Sequence, residues 1–131
     1  MDEIALTLPA DEAFSGVAHL VLGGLAVRLG LTVEILEDLE LALDALLDRS
    51  ENASENELTI QVRVGDTEMQ TLVGPYHDDI RKELERDGGD ALDMRRILRT
   101  VCERVEVTER DDGQWVELTK RMERRTEKER A

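Results

Sequence analysis

The stretch from Leu58 to Val64 leaves this chain the least freedom. Leu58, Ile60, Val62 and Val64 alternate with Thr59, Gln61 and Arg63, which is the period of a strand with one buried and one wet face. Gly65-Asp66 follows, and then a second apolar run from Met69 to Val73. The pair predicts an antiparallel hairpin turned at the glycine. Gly74-Pro75 reads as its end, because proline cannot donate to a sheet ladder. A hairpin with one apolar face is marginal alone and must be covered by other elements.

Two helical stretches upstream can supply that cover. Asp11 is a good N-cap, and Phe14, Val17, Ala18, Val21, Leu25 and Leu29 recur at helical spacing after it. Leu20, Leu22 and Val27 fill other faces, and no charge falls between Glu12 and Arg28. A helix apolar on nearly all sides is buried on nearly all sides, with core on one side and a partner on the other. Gly16, Gly23 and Gly24 permit another backbone to approach it. Val17, Leu20, Val21 and Gly24 are the candidate partner-contact residues. His19 has no carboxylate neighbour in sequence and no metal-type spacing, so it reads as a packing or interface histidine.

Gly30 closes the first helix as a C-cap glycine, and Thr32 caps the second. In the second, Ile35, Leu36, Leu39, Ala42, Leu43, Leu46 and Leu47 form an apolar face. Glu34, Glu37, Asp38, Glu40, Asp44 and Asp48 form an acidic one. Glu40, Asp44 and Asp48 share one stripe that a hard cation could use. Such cations draw ligands from more than one element, so the stripe reads as a solvated face.

After a polar loop, Ser50 to Asn56, and the hairpin, Tyr76 to Leu84 reads as a short helix or ordered loop. Asp87 to Asp90 is a break, and Asp90 can cap a helix carrying Leu92, Met94, Ile97, Leu98, Val101 and Cys102. A strand over Val105 to Thr108, a turn at Asp111-Asp112-Gly113 and a last strand over Trp115 to Thr119 follow. With a first strand at Ile4 to Leu8, the order predicts an α+β two-layer sandwich, an antiparallel-rich sheet with helices on one face. One domain over residues 1–120 and a charged tail over 121–131 are expected. The tail alternates charge and reads as disordered or as a frayed helix.

Composition removes several function classes. The chain has 131 residues, enough for one real core, and is 40% hydrophobic. Phe14, Tyr76 and Trp115 are its only rings, so it has no stacking platform for bases. Net charge is −14; the segment Thr119 to Ala131 carries six basic and three acidic residues, so the rest carries −17. A body this acidic repels phosphate backbones, which argues against nucleic acid, and it suits a basic partner protein or simply solubility. Cys102 is the single cysteine, so a disulfide framework and a thiolate cluster are excluded, and a buried, inert thiol is expected. The N-terminus begins acidic, unlike a signal peptide, and the apolar run Val17 to Val27 is too short to span a bilayer. A cytoplasmic protein without membrane contact is expected.

Several pieces resemble a known family. Leu6 to Asp11 (LTLPAD) resembles its opening strand and helix start. Leu25 to Leu43 resembles its helix-turn-helix, and Val101 to Val107 with Asp111 to Met122 resembles its last helix end and hairpin. In order and spacing the chain is similar to the anti-sigma factor serine kinases of bacteria, members of the histidine-kinase-like ATPase superfamily. The resemblance implies a Bergerat-type fold with a mixed, mostly antiparallel sheet. It also implies a protein partner, a sigma factor or its antagonist. A homodimer is expected.

The family's nucleotide chemistry rests on three motifs, and each is lost. A Glu general base and a magnesium-binding Asn one turn later fall, by the resemblance, at Ala45 and Arg49. Ala45 cannot take a proton, and Arg49 has no acceptor for a metal. Asp44 and Asp48 keep the spacing but sit one residue away, about 100° around the helix. Asp48 and Asn52 keep it nearly one turn later, where the helix need not continue. The adenine-binding Asp-x-Gly falls at Pro75 (or Gly74, if the alignment slips by one) and His77. The phosphate-binding Gly-x-Gly falls at Leu92 and Met94, with Asp93 between them to repel phosphate. The segment between the second and third motifs is also short for an ATP lid. The expectation is therefore a degenerate member: no catalytic residue, no cofactor, no metal, and a regulatory role through protein binding. Two alternatives stand beside it, an active serine/threonine kinase with rearranged motifs and a dimerisation or scaffold module unrelated to sigma factors.

Overall fold

The computed structural model describes residues 2–9, 15–49, 57–85 and 90–121. Five strands and four helices follow in the order β1 (Asp2–Pro9), α1 (Ser15–Leu29), α2 (Val33–Arg49), β2 (Glu57–Val64), β3 (Glu68–Tyr76), α3 (Ile80–Glu85), α4 (Asp90–Val101), β4 (Arg104–Arg110) and β5 (Gly113–Arg121). The strands form one sheet in the order β1-β2-β3-β5-β4. Every neighbouring pair is antiparallel, so the α+β sandwich stands while the sheet is not mixed.

Register explains which residues reach the core. Leu6 lies opposite Ile60, Ile60 opposite Val73, Val73 opposite Val116, and Val116 opposite Val107. These positions share one face because strand side chains alternate. That face meets Leu39, Ala42, Leu43 and Leu46 of α2, all 1% exposed or less, and Leu98 of α4. α2 is therefore the central helix of the helical layer, packed on α1 along one side and α4 along the other. The opposite sheet face carries polar pairs such as Thr7 with Thr59, hydroxyl to hydroxyl at 2.8 Å.

Gly30 stands where the helix pair turns, with φ of 67°. A side chain there would be strained, and the left-handed turn lets Leu31 N donate to Ala26 O at 2.9 Å. Thr32 then caps α2, its Oγ1 accepting from Ile35 N at 3.3 Å.

Two expectations are corrected. β3 does not stop at Gly74-Pro75 but runs on to Tyr76, which pairs with Gln114, across a register shift after Val73. A bulge is where a sheet tolerates proline. The predicted short helix accordingly starts at Ile80, not Tyr76. Likewise β5 runs past the strand end expected at Thr119 and includes Lys120. The loop at Ser50 to Asn56, the N-cap at Asp11, the first part of the break at 87–90 and the tail beyond Arg121 lie outside the described residues.

Candidate functional site

By the resemblance, the first nucleotide motif falls in the C-terminal half of α2. Ala45 lies there, half-buried against the core, and Arg49 is the last residue of the helix. The last carbonyls of a helix lack intrahelical partners. Tyr76 uses one of them: its hydroxyl donates to Leu46 O at 3.2 Å, with the ring 4% exposed. The end of β3 is thus tied to α2 by a buried aromatic side chain. Pro75 is half-buried in β3, and His77 is exposed just after it. Leu92 and Met94 lie in the first turns of α4, and Met94 joins the core at 7% exposure. Ile80 and Leu84 of α3 are buried in the same core cluster. Of the motif positions, those on α2 and at the end of β3 are brought near each other by the Tyr76 contact.

Asp44 projects about 100° round the helix from Ala45. It faces α1, where its Oδ1 lies 2.7 Å from His19 Nε2. On the other side of the same ring, Nδ1 lies 3.1 Å from Glu40 Oε2. Sequence reading missed this arrangement and gave His19 no carboxylate neighbour. A signal was available: in a helical hairpin turned at Gly30, positions equally far from the turn face each other, and His19 falls opposite Glu40 to Asp44. Among the described residues no group of three or more His, Cys, Asp and Glu side chains is arranged to hold a metal ion.

The four candidate partner residues on α1 separate. Leu20 is 77% exposed, Val17 39%, and Gly24 is exposed, whereas Val21 turns inward to line a crevice with Ile4, Leu6, Ile60 and Val62. Val27, 85% exposed, extends the outer face.

Two polar clusters tie the helices to the last hairpin. Lys120 reaches from β5 beneath the helices, donating to Asp38 Oδ2 at 2.8 Å and to Val101 O at 2.6 Å. Cys102, beside it at the end of α4, is buried, and burial pushes its thiol up to about 11 against the partial opposition of the Lys120 charge. Gln114 ties α3 to the last hairpin: its Oε1 accepts from Arg81 N at 3.1 Å, and its Nε2 donates to Asp79 Oδ1 at 3.2 Å. Arg81 adds a bond to Val107 O at 2.9 Å. No helix of the described residues is long and apolar enough to cross a membrane.

No protein-family profile matches the chain. Comparison with curated proteins finds relatives named serine-protein kinase RsbW. The protein of Listeria monocytogenes is 29% identical, the match covering 91% of this chain and 87% of that one. That of Bacillus velezensis is 28% identical over 92% of this chain and 86% of its own. That of Oceanobacillus iheyensis is 28% identical over 70% and 71%. Among solved structures, the RsbU and RsbW domains of Rv1364c from Mycobacterium tuberculosis superpose with a TM-score of 0.66 at 14% identity. That match covers 95% of this chain and 33% of the solved one, so the chain spans about a third of that protein's length. The chain is thus similar in sequence to proteins named serine-protein kinase RsbW, and it has the histidine-kinase-like ATPase fold of the RsbW domain.

Proposed function

We propose that the chain is a regulatory protein of the anti-sigma factor type, binding a protein partner without binding ATP or transferring phosphate. The observation that carries this reading is the Tyr76 contact with Leu46 O, 3.2 Å long, beside Ala45. Tyr76 adjoins Pro75 and Leu46 adjoins Ala45, so this contact joins the neighbourhoods in which the resemblance looks for an adenine-binding carboxylate and a general base, and a ring and a methyl group there support the reading. Losing one such group could be compensated. Losing the base, the metal ligand, the adenine carboxylate and the phosphate-binding glycines together leaves no chemistry for nucleotide binding. A second reading, an active kinase, is favoured by the relatives' name. It would need a base from α2, and Asp44 is engaged by His19 at 2.7 Å.

The partner surface in this reading is the outer face of α1. Gly16, Gly23 and Gly24 have nothing within 4 Å of where a Cβ would stand. Interior glycines weaken a helix by about 1 kcal/mol each relative to alanine. No packing within the chain requires them, which fits close approach by a second backbone. Val17, Leu20 and Val27 would be covered in the same contact, and the −17 charge of residues 1–118 suits a basic sigma factor or antagonist. A homodimer through this face is part of the proposal.

Leu20→Glu tests it, because an exposed residue can be changed with little effect on the fold. Sedimentation velocity should show an unaltered compact monomer whose self-association is weaker by roughly thirtyfold, the scale of an interface hot spot. Unchanged association of the charged variant would place the contact elsewhere.

A further inference from the structure

We infer that His19 is a proton-dependent latch between α1 and α2. Its two ring nitrogens face two different carboxylates, Nδ1 toward Glu40 at 3.1 Å and Nε2 toward Asp44 at 2.7 Å. A carboxylate can only accept, and a neutral imidazole has a single N–H to give. In the neutral ring one of the two contacts therefore sets lone pair against lone pair. Only the imidazolium donates at both ends, so the bracket closes on the charged ring and one arm opens when the proton leaves.

The surroundings let that difference act. The ring is about a third exposed, at 32%, so it exchanges protons with solvent. On α1 the only other charged residue among the described positions is Arg28, more than two turns away. From α2 the charged groups that meet the ring are Glu40 and Asp44. Beneath α1 the sheet presents Ile4, Leu6, Ile60 and Val62, which are apolar and line a crevice. α1 thus packs on α2 along one side, and its inner residues Ala18, Leu22 and Leu25 lie buried over β1 and β2. Opening one arm removes a polar tie between the two helices. His19 sits one residue from Leu20 and two from Val17, so the latch also sets the face that meets a partner; this last consequence, unlike the latch, rests on the function proposed above.

The full-length chain without partner tests the latch. Between about pH 6 and about pH 8.5 the carboxylates stay charged while a histidine changes state. Glu40→Gln and Asp44→Asn should each lower the folded-to-unfolded ratio, from urea titration, by roughly two- to fivefold at the lower pH. At the higher pH at least one of them should have no effect, and in a His19→Gln background both should be silent throughout. Ring-nitrogen NMR, with His77→Gln to assign the signals, should show two protonated nitrogens at the lower pH and one at the higher. If the double background fails to fold, the single variants and the ring signals decide the matter. Equal effects of the carboxylate variants at both pH values, or a ring with one proton at pH 6, would overturn the latch. Partner binding that ignores pH while the latch signals persist would instead count against α1 as the partner face.

Discussion

Gly74→Ala should destabilise the chain by about 3 kcal/mol, at the upper end of the usual cost of overpacking. A Cβ built at Gly74 meets Trp115 Cδ2 at 2.6 Å and Cγ at 2.8 Å, and Gln114 O at 3.0 Å. Neither neighbour can yield cheaply. The backbone oxygen belongs to β5, and the indole is pinned on two sides. Its N–H donates to Asp112 Oδ1 at 2.8 Å, and the Arg110 guanidinium lies 4.5 Å from the ring centroid. Trp115 is the single tryptophan, so its fluorescence reports both the local shift and the unfolding midpoint. A variant as stable as the wild type would mean that the ring moves freely. The same geometry bears on the lost adenine motif. With the alignment slipped by one residue, the carboxylate would have to stand at Gly74, where not even a methyl group fits.

The second large effect is expected at Lys120. Its side chain is 12% exposed and that of Asp38 34%. Lys120→Met keeps the apolar stem but strips Asp38 and Val101 O of their donor. Removing one partner of a mostly buried pair is costlier than the pair is worth. A loss of about 2–3 kcal/mol is expected, discounted from the fully buried range because Asp38 keeps contact with water. Asp38→Asn, which leaves an acceptor in place, should lose only about 1 kcal/mol. A double-mutant cycle checks the pairing: additive losses would show that the two side chains do not interact.

Local signals carried most of the architecture. Alternation at Leu58 to Val64 specified a strand and its buried face, and Gly30 marked the left-handed turn between α1 and α2. The errors share one physical origin. Pro75 ends a strand by local rules, yet β3 passes it because β5 offers a bulged partner. Lys120 fell outside the expected last strand because its partner Asp38 is 82 positions away. His19 looked isolated because its carboxylates lie on the next helix. Ala45 and Arg49 could be singled out only through the family resemblance, since nothing in their local pattern distinguishes them from a helix face. Tyr76 gave no signal as the residue tied to α2, because its part depends on β3 running past the proline.

Titration calorimetry of the full chain with ATP and magnesium is the most direct test of the proposal that the chain does not bind nucleotide. The expected result is no saturable heat, which corresponds to a dissociation constant weaker than about 1 mM. Magnesium-dependent, saturable binding in the micromolar range would contradict it and return the chain to the working kinases.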